Sequence, residues 1–135
     1  MDLTPGTELP AFVRTTGFAN WNRYAAVNEE FIPIHMDDEA GKAAGFPSAI
    51  GMGNLAWSYA HIMMRRWMGP NGKIEKLAVQ YQLPNLREST ITVHGKIAEV
   101  SKCAEGSRAL VDIWVDDDAD RKLVNGQATI LIRSA

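Results

Sequence analysis

A carboxylate and an imidazole stand five residues apart in Glu30-Phe31-Ile32-Pro33-Ile34-His35, ahead of a Gly45-Phe46-Pro47 turn and of Gly51-Met52-Gly53, which opens a long apolar run. These are the parts that acid/base chemistry on water requires. One group deprotonates the water, a second orients it or returns the proton, and backbone N–H groups at a helix start face a developing oxyanion.

The elements that must position these groups are read from periodicity. Leu9 to Thr16 reads as a first strand ending at Gly17, and Asn20 as the cap of a short helix running to about Val27 that buries Trp21, Tyr24 and Ala25. Residues 28–50 hold two prolines and two glycines without a sustained period, with one helical turn expected near Asp37 to Ala44. A long irregular segment inside a compact domain is more often functional than a mere connector. From about Met52 to Met68 nearly every residue is apolar or a good helix former, and Asn54, Ser58, His61 and Arg65 form one narrow polar stripe. A helix apolar on most of its circumference must be wrapped, and Gly69-Pro70-Asn71-Gly72 stops it. Period-two alternation follows over Leu77 to Leu83, Ile91 to His94, Val111 to Val115 and Ala128 to Ile132, which argues for an antiparallel meander. The fold class expected is α+β: one domain over residues 1–135, a curled antiparallel sheet around a buried helix.

Composition bounds the function. With 135 residues, 46% hydrophobic and 22% charged, the chain has the balance of one globular domain, and a net charge of −2 leaves no footprint for nucleic acid. The single cysteine, Cys103, has no partner for an internal disulfide and favours a reducing, cytoplasmic setting. The start Met1-Asp2-Leu3-Thr4-Pro5-Gly6 lacks the pattern of a signal peptide. No stretch approaches the roughly 20 apolar residues of a membrane span, so no membrane partner is expected.

Plainer readings stand beside the chemical one. An acid five residues before a histidine is common by itself; Pro33, the Gly-Phe turn and Gly53 in register set this one apart. Glu29 is the competing carboxylate. His61 reads as a core or subunit-contact residue or a pocket wall, and His94 as a surface or cross-strand residue. Asp37 and Asp38 read as a solvated helix start rather than metal ligands, because no second histidine completes a site. Met63, Met64, Trp67 and Met68 are core or the wall of an acyl tunnel. Arg65 and Arg66 are the basic last turn of the helix or a contact for an anionic cofactor such as coenzyme A.

The segment resembles the hydratase motif of MaoC-like, (R)-specific enoyl-CoA hydratases, which are hot-dog folds with a curved antiparallel sheet around a long central helix. In that family an acid, Phe, Asn, Pro, an aliphatic residue and His are followed by an alanine-rich turn with Gly-Phe and a His-Gly pair opening the helix. Here they correspond to residues 30–35, to Lys42-Ala43-Ala44-Gly45-Phe46 and to Ile50-Gly51-Met52-Gly53. The specific part of the likeness spans about residues 24–55. It implies that Glu30 stands at the catalytic aspartate and His35 at the catalytic histidine. Gly53, eighteen residues after His35, then stands at the glycine whose N–H polarises the thioester carbonyl. The substrate wall it implies comprises Phe46, Ile50, Met52, Asn54 and Trp57. Three positions depart from the pattern: Glu30 lengthens the acid by one methylene, Ile32 replaces the bracing asparagine, and Met52 replaces the histidine before the glycine.

The function so implied is a hydro-lyase adding water to trans-2-enoyl thioesters, with no metal or redox cofactor and with a coenzyme A or acyl-carrier thioester as substrate. The alternative is a non-catalytic or partner-dependent subunit of a hetero-oligomeric hot-dog hydratase. A hot-dog thioesterase comes third, since residues 54–68 contain none of the acids such enzymes carry on the central helix. A homodimer or a hetero-oligomer with another hot-dog subunit is expected in each case.

Overall fold

A computed structural model describes all 135 residues. Strand β1 (Phe12–Thr15) and helix α1 (Phe18–Asn28) lead into a 3-10 turn at Pro33–His35 and the short helix α2 (Asp38–Ala43). The long helix α3 (Gly53–Met68) and a second 3-10 turn follow, and then β2 (Gly72–Tyr81), β3 (Thr90–Cys103), β4 (Gly106–Asp117) and β5 (Lys122–Arg133). The strands form one antiparallel sheet in the order β1-β3-β4-β5-β2.

Alternation does the sorting expected of it. Along β4 the residues Ala109, Val111, Ile113 and Val115 turn inward, and with Ile91, Val93 and Ile97 of β3 and Ala128 and Ile130 of β5 they pack against α3 in one core. Helix α3 contributes Leu55, Ala56, Tyr59, Ala60, Met63 and Met64. Gly95 lets it approach, because a Cβ there would lie 2.9 Å from the Met63 methyl. Register shifts at Ile74/Lys76, Ile97/Glu99 and Val115/Asp116 bend three ladders. Bulges of this kind increase local twist, which curls a sheet around a helix.

Four details depart from the expectations. Only β3, β4 and β5 form a meander; β2 crosses to the far edge and pairs with β5, so residues 82–89 must span the end of the sheet. Strand β1 begins at Phe12, because Pro10 has no N–H to pair, and before it the stretch Gly6 to Leu9 meets β3 only through isolated bonds. Helix α1 is capped by Gly17, and Asn20 sits in the first turn with its Oδ1 accepting the Gly17 N–H at 3.3 Å. Helix α3 is not wrapped all round: Trp57 is 38% exposed on the side that carries Asn54 and Arg65. No helix is long and apolar enough to cross a membrane.

Candidate active site

Helix α1 delivers Glu30. The helix ends at Glu29, whose φ of 53° and ψ of 37° place it in the left-handed region, and this sharp exit turns the chain so that Glu30 donates its N–H to Ala25 O at 3.0 Å. Glu30 then lines a cavity of about 450 Å³, while Glu29 stays exposed and does not line it. The structure thus separates the two adjacent acids, with Glu30 on the cavity side.

Pro33 begins the 3-10 turn, where its missing N–H costs nothing and its fixed φ suits the turn. The turn ends at His35, which is 8% exposed and lines the same cavity. His35 Nδ1 lies 2.8 Å from Ile50 O. A carbonyl only accepts, so Nδ1 carries a proton, which in a neutral imidazole makes Nε2 the lone-pair acceptor. Ile50 N–H donates in turn to Ile34 O at 3.0 Å, which ties the two segments together.

Between them, helix α2 ends in a turn at Gly45, with φ +96°, and Phe46 N–H returns to Gly41 O at 3.0 Å. This is the closing bond of a glycine helix terminus. It puts Phe46 on the cavity wall together with Ile50.

Helix α3 then begins at Gly53, with Met52 as its uncapped flanking residue. The Gly53 N–H has no partner inside the helix and sits at the positive end of the dipole. Gly53 lines the cavity beside Asn54, and the Tyr81 ring packs directly on it: a Cβ at Gly53 would lie 2.8 Å from Tyr81 Cε1 and Cζ. Burial, and secondarily Tyr24, pushes the Tyr81 phenol above its ordinary pKa, so it stays neutral, with its hydroxyl 3.5 Å from Asn54 Oδ1.

The remaining wall is Gly51 together with Tyr81, Gln82, Leu83 and Pro84, the last four of which the sequence did not single out for the site. Tyr81 ends β2 and the next three residues open the crossing strap, which is pinned along its length. Gln82 N–H donates to Leu123 O at 2.8 Å, Arg121 Nη2 donates to Pro84 O at 3.2 Å, and Asn85 O accepts the Gly51 N–H at 2.7 Å. Arg121 is held by the Asp117 carboxylate, whose side chain is 1% exposed.

Of the eight residues expected at the site, Glu30, His35, Gly53, Phe46, Ile50 and Asn54 line one cavity. Met52 does not: it is 2% exposed and packs in the core, as the last extended residue before α3 turns its side chain inward. Trp57 lines a neighbouring groove with Tyr24, Asn28, Asn54, Val79 and Tyr81, one helical turn away. Met63, Met64 and Met68 are core residues, and Trp67 with Met63 borders a separate hollow beside Phe12 and Arg66, so these four wall no part of the Glu30–His35 cavity. His61 stacks edge-on against Trp57 at 4.3 Å, its Nε2 is buried without a partner, and burial followed by the Arg65 charge lowers its pKa. His94 is a cross-strand residue, stacked on Trp114 at 5.0 Å and 3.1 Å from Asp116 Oδ1.

Asp37 caps α2, its carboxylate accepting from Glu39 and Ala40 N–H at 3.3 Å. Asp38 is not solvated as expected: it pairs with Arg87 at 2.9 Å and accepts the Ala49 N–H at 3.1 Å.

The family described as "MaoC like domain" matches residues 4–116. No curated protein matches the chain. Among solved structures, an (R)-hydratase from A. caviae involved in PHA biosynthesis superposes with a TM-score of 0.87 at 18% identity, covering 96% of this chain and 97% of that one. The ChsH1-ChsH2 complex from Mycobacterium tuberculosis gives 0.86 at 16% identity, covering 96% and 98%. A protein described as a MaoC-like dehydratase gives 0.85 at 26% identity over 99% of this chain and 41% of that one. The first two likenesses establish the curved sheet and central helix as a hot-dog fold.

Proposed function

From the premise that the chain belongs to the MaoC-like family, within which it stands as a hydratase or dehydratase, we propose that it catalyses reversible syn hydration of trans-2-enoyl thioesters to (R)-3-hydroxyacyl thioesters. The observation that carries the reading is the convergence of Glu30, His35 and Gly53, the first residue of α3, on one cavity. In the proposed reaction the Glu30 carboxylate takes a proton from water as the water oxygen bonds to C3. His35 Nε2 accepts the other O–H and fixes the oxygen. Charge moves to the thioester oxygen, where the Gly53 N–H and the dipole of α3 stabilise it in a site built before the charge appears. The proton returns from Glu30, past the water position that His35 orders, to C2 on the same face, leaving both residues as they began. The thioester itself acidifies the α-carbon, so the reaction calls for no metal or redox group. Hydration by the parent protein that persists at the parental rate in both Glu30→Gln and His35→Ala overturns the assignment; a loss of roughly a hundredfold in each supports it.

A second reading concerns what completes the site. Its wall includes exposed apolar side chains, Leu83 at 45% and Tyr81 at 51%, Phe31 next to Glu30 in the chain is 60% exposed, and β2, which ends at Tyr81, is an edge strand of the sheet. Exposed apolar surface of this kind marks contact sites. The chain is proposed to pair with another hot-dog subunit, either a second copy or an unequal partner like that in the ChsH1-ChsH2 complex. Light scattering after size exclusion is expected to give about twice the mass of one 14.9 kDa chain. A monomer that gains activity only with a second hot-dog chain points to the unequal pair, and a fully active monomer rules pairing out as a requirement.

A further inference from the structure

The carbonyl that sets the His35 tautomer belongs to Ile50, and Ile50 lies outside every helix and long strand. What holds it is therefore a set of local bonds: Ile50 N–H to Ile34 O, Gly51 N–H to Asn85 O, and the side chains that anchor those segments. Asp38 occupies the central place. Its Oδ1 accepts the N–H of Ala49, the residue before Ile50, at 3.1 Å, and its Oδ2 receives Arg87 Nη1 at 2.9 Å. Arg87 comes from the crossing strap, and its guanidinium also lies 4.7 Å from the centre of the Phe18 ring on α1. Immediately before Arg87 the strap is stitched to the same segment, by the Leu86–Ile50 bridge and by Gly51 N–H to Asn85 O at 2.7 Å.

We infer that the Asp38–Arg87 pair is the positioning device for His35: it ties the Ser48–Ala49 peptide to the strap whose Asn85 O holds the Gly51 N–H, the other end of the peptide that carries the Ile50 carbonyl, so that carbonyl meets Nδ1 and Nε2 is left facing the cavity. Neither residue lines the cavity. The pair acts through Ile50, and its kinetic consequence rests on the hydration reading above. Its structural consequence does not. Both side chains are about one-third exposed, 35% and 31%, so the pair's effect is geometric rather than a large electrostatic contribution to stability. Orientation is where such a device has leverage, since a misplacement near 1 Å in oriented chemistry costs on the order of a hundredfold.

The test uses the full chain with Arg87→Met, which keeps an apolar stem against Phe18, and Asp38→Asn, which keeps an acceptor for Ala49 but loses the charge. Arg87→Lys serves as the conservative variant. Long-range 1H–15N NMR of the His35 ring reads the tautomer directly. The parent is expected to show the Nδ1–H form, Arg87→Met a mixture with the Nε2–H form, and Arg87→Lys a ring closer to the parent. Crotonyl-CoA hydration is expected to lose roughly 10- to 100-fold in kcat in Arg87→Met, with KM changed less than about threefold. A folded Arg87→Met or Arg87→Lys variant with the parental tautomer and parental kcat overturns the inference. A parent that hydrates nothing removes the proposed function, yet the tautomer measurement still decides this proposal.

Discussion

Gly53→Ala isolates the geometry of the proposed oxyanion donor. A Cβ there would meet Tyr81 Cε1 and Cζ at 2.8 Å, against the 3.4 Å at which contact becomes ordinary, so about 0.6 Å of displacement must be found. Tyr81 is 51% exposed and its ring is the far end of a side chain, so part of that displacement falls on the ring and the fold survives. The rest falls on the first turn of α3, which carries the N–H that would hold the thioester oxygen. Half an ångström at such a donor is expected to lower kcat for crotonyl-CoA by about 10- to 100-fold, below the hundred- to thousandfold of losing a donor outright. Thermal stability should fall by about 1–2 kcal/mol, at the lower end of overpacking because one neighbour yields. The decisive assay is the double variant. Removing the ring in Gly53→Ala/Tyr81→Ala clears the clash, and kcat is expected to recover at least severalfold over Gly53→Ala, as coupling between touching residues requires. A Gly53→Ala protein with parental kcat refutes the oxyanion argument, and a double variant no better than the single refutes the steric one.

Two further outcomes follow from features outside the chemistry. Glu29→Gly relieves a left-handed backbone residue and is expected to raise stability by about 0.5–1 kcal/mol, a rise of ~2–4 °C in Tm, with hydration unchanged; calorimetry showing a lower Tm contradicts the strain argument. His61 has its pKa held below the ordinary 6.5 by burial and Arg65, so on acidification through that value the unfolded chain gains a proton that the folded chain resists, and stability falls. Urea midpoints above and below pH 6.5 should show that fall in the parent, and His61→Gln should make it shallower; an unchanged slope means His61 does not contribute.

Local pattern carried the elements and half of the site. Period-two runs marked the strands because the inner face of the sheet is dry. The apolar run from residue 52 marked α3 because one side of that helix is core. Glu30, His35, Phe46, Ile50, Gly53 and Asn54 were legible because they lie in one segment whose turn residues are themselves distinctive. The wall from Tyr81 to Pro84 was not, because it reaches the site only through strand order: β2 pairs with β5 at the sheet edge, and the strap must then cross to β3. No local periodicity encodes that choice of partner. Asp38 was misread for the same reason, since a helix-start acid looks solvated until its cation arrives from residue 87. Met52 was misplaced because a flanking residue of a helix can turn toward the cavity or the core, and the core took it.

The central claim is that this site adds water across a carbon–carbon double bond, and the fate of the water oxygen tests it most directly. Crotonyl-CoA incubated with the protein in 18O-water is expected to give (R)-3-hydroxybutyryl-CoA carrying the label on the C3 hydroxyl, with the thioester intact and with labelling abolished in Glu30→Gln. Label appearing in a free carboxylate alongside released coenzyme A, or at C3 equally in the Glu30→Gln protein, contradicts the account.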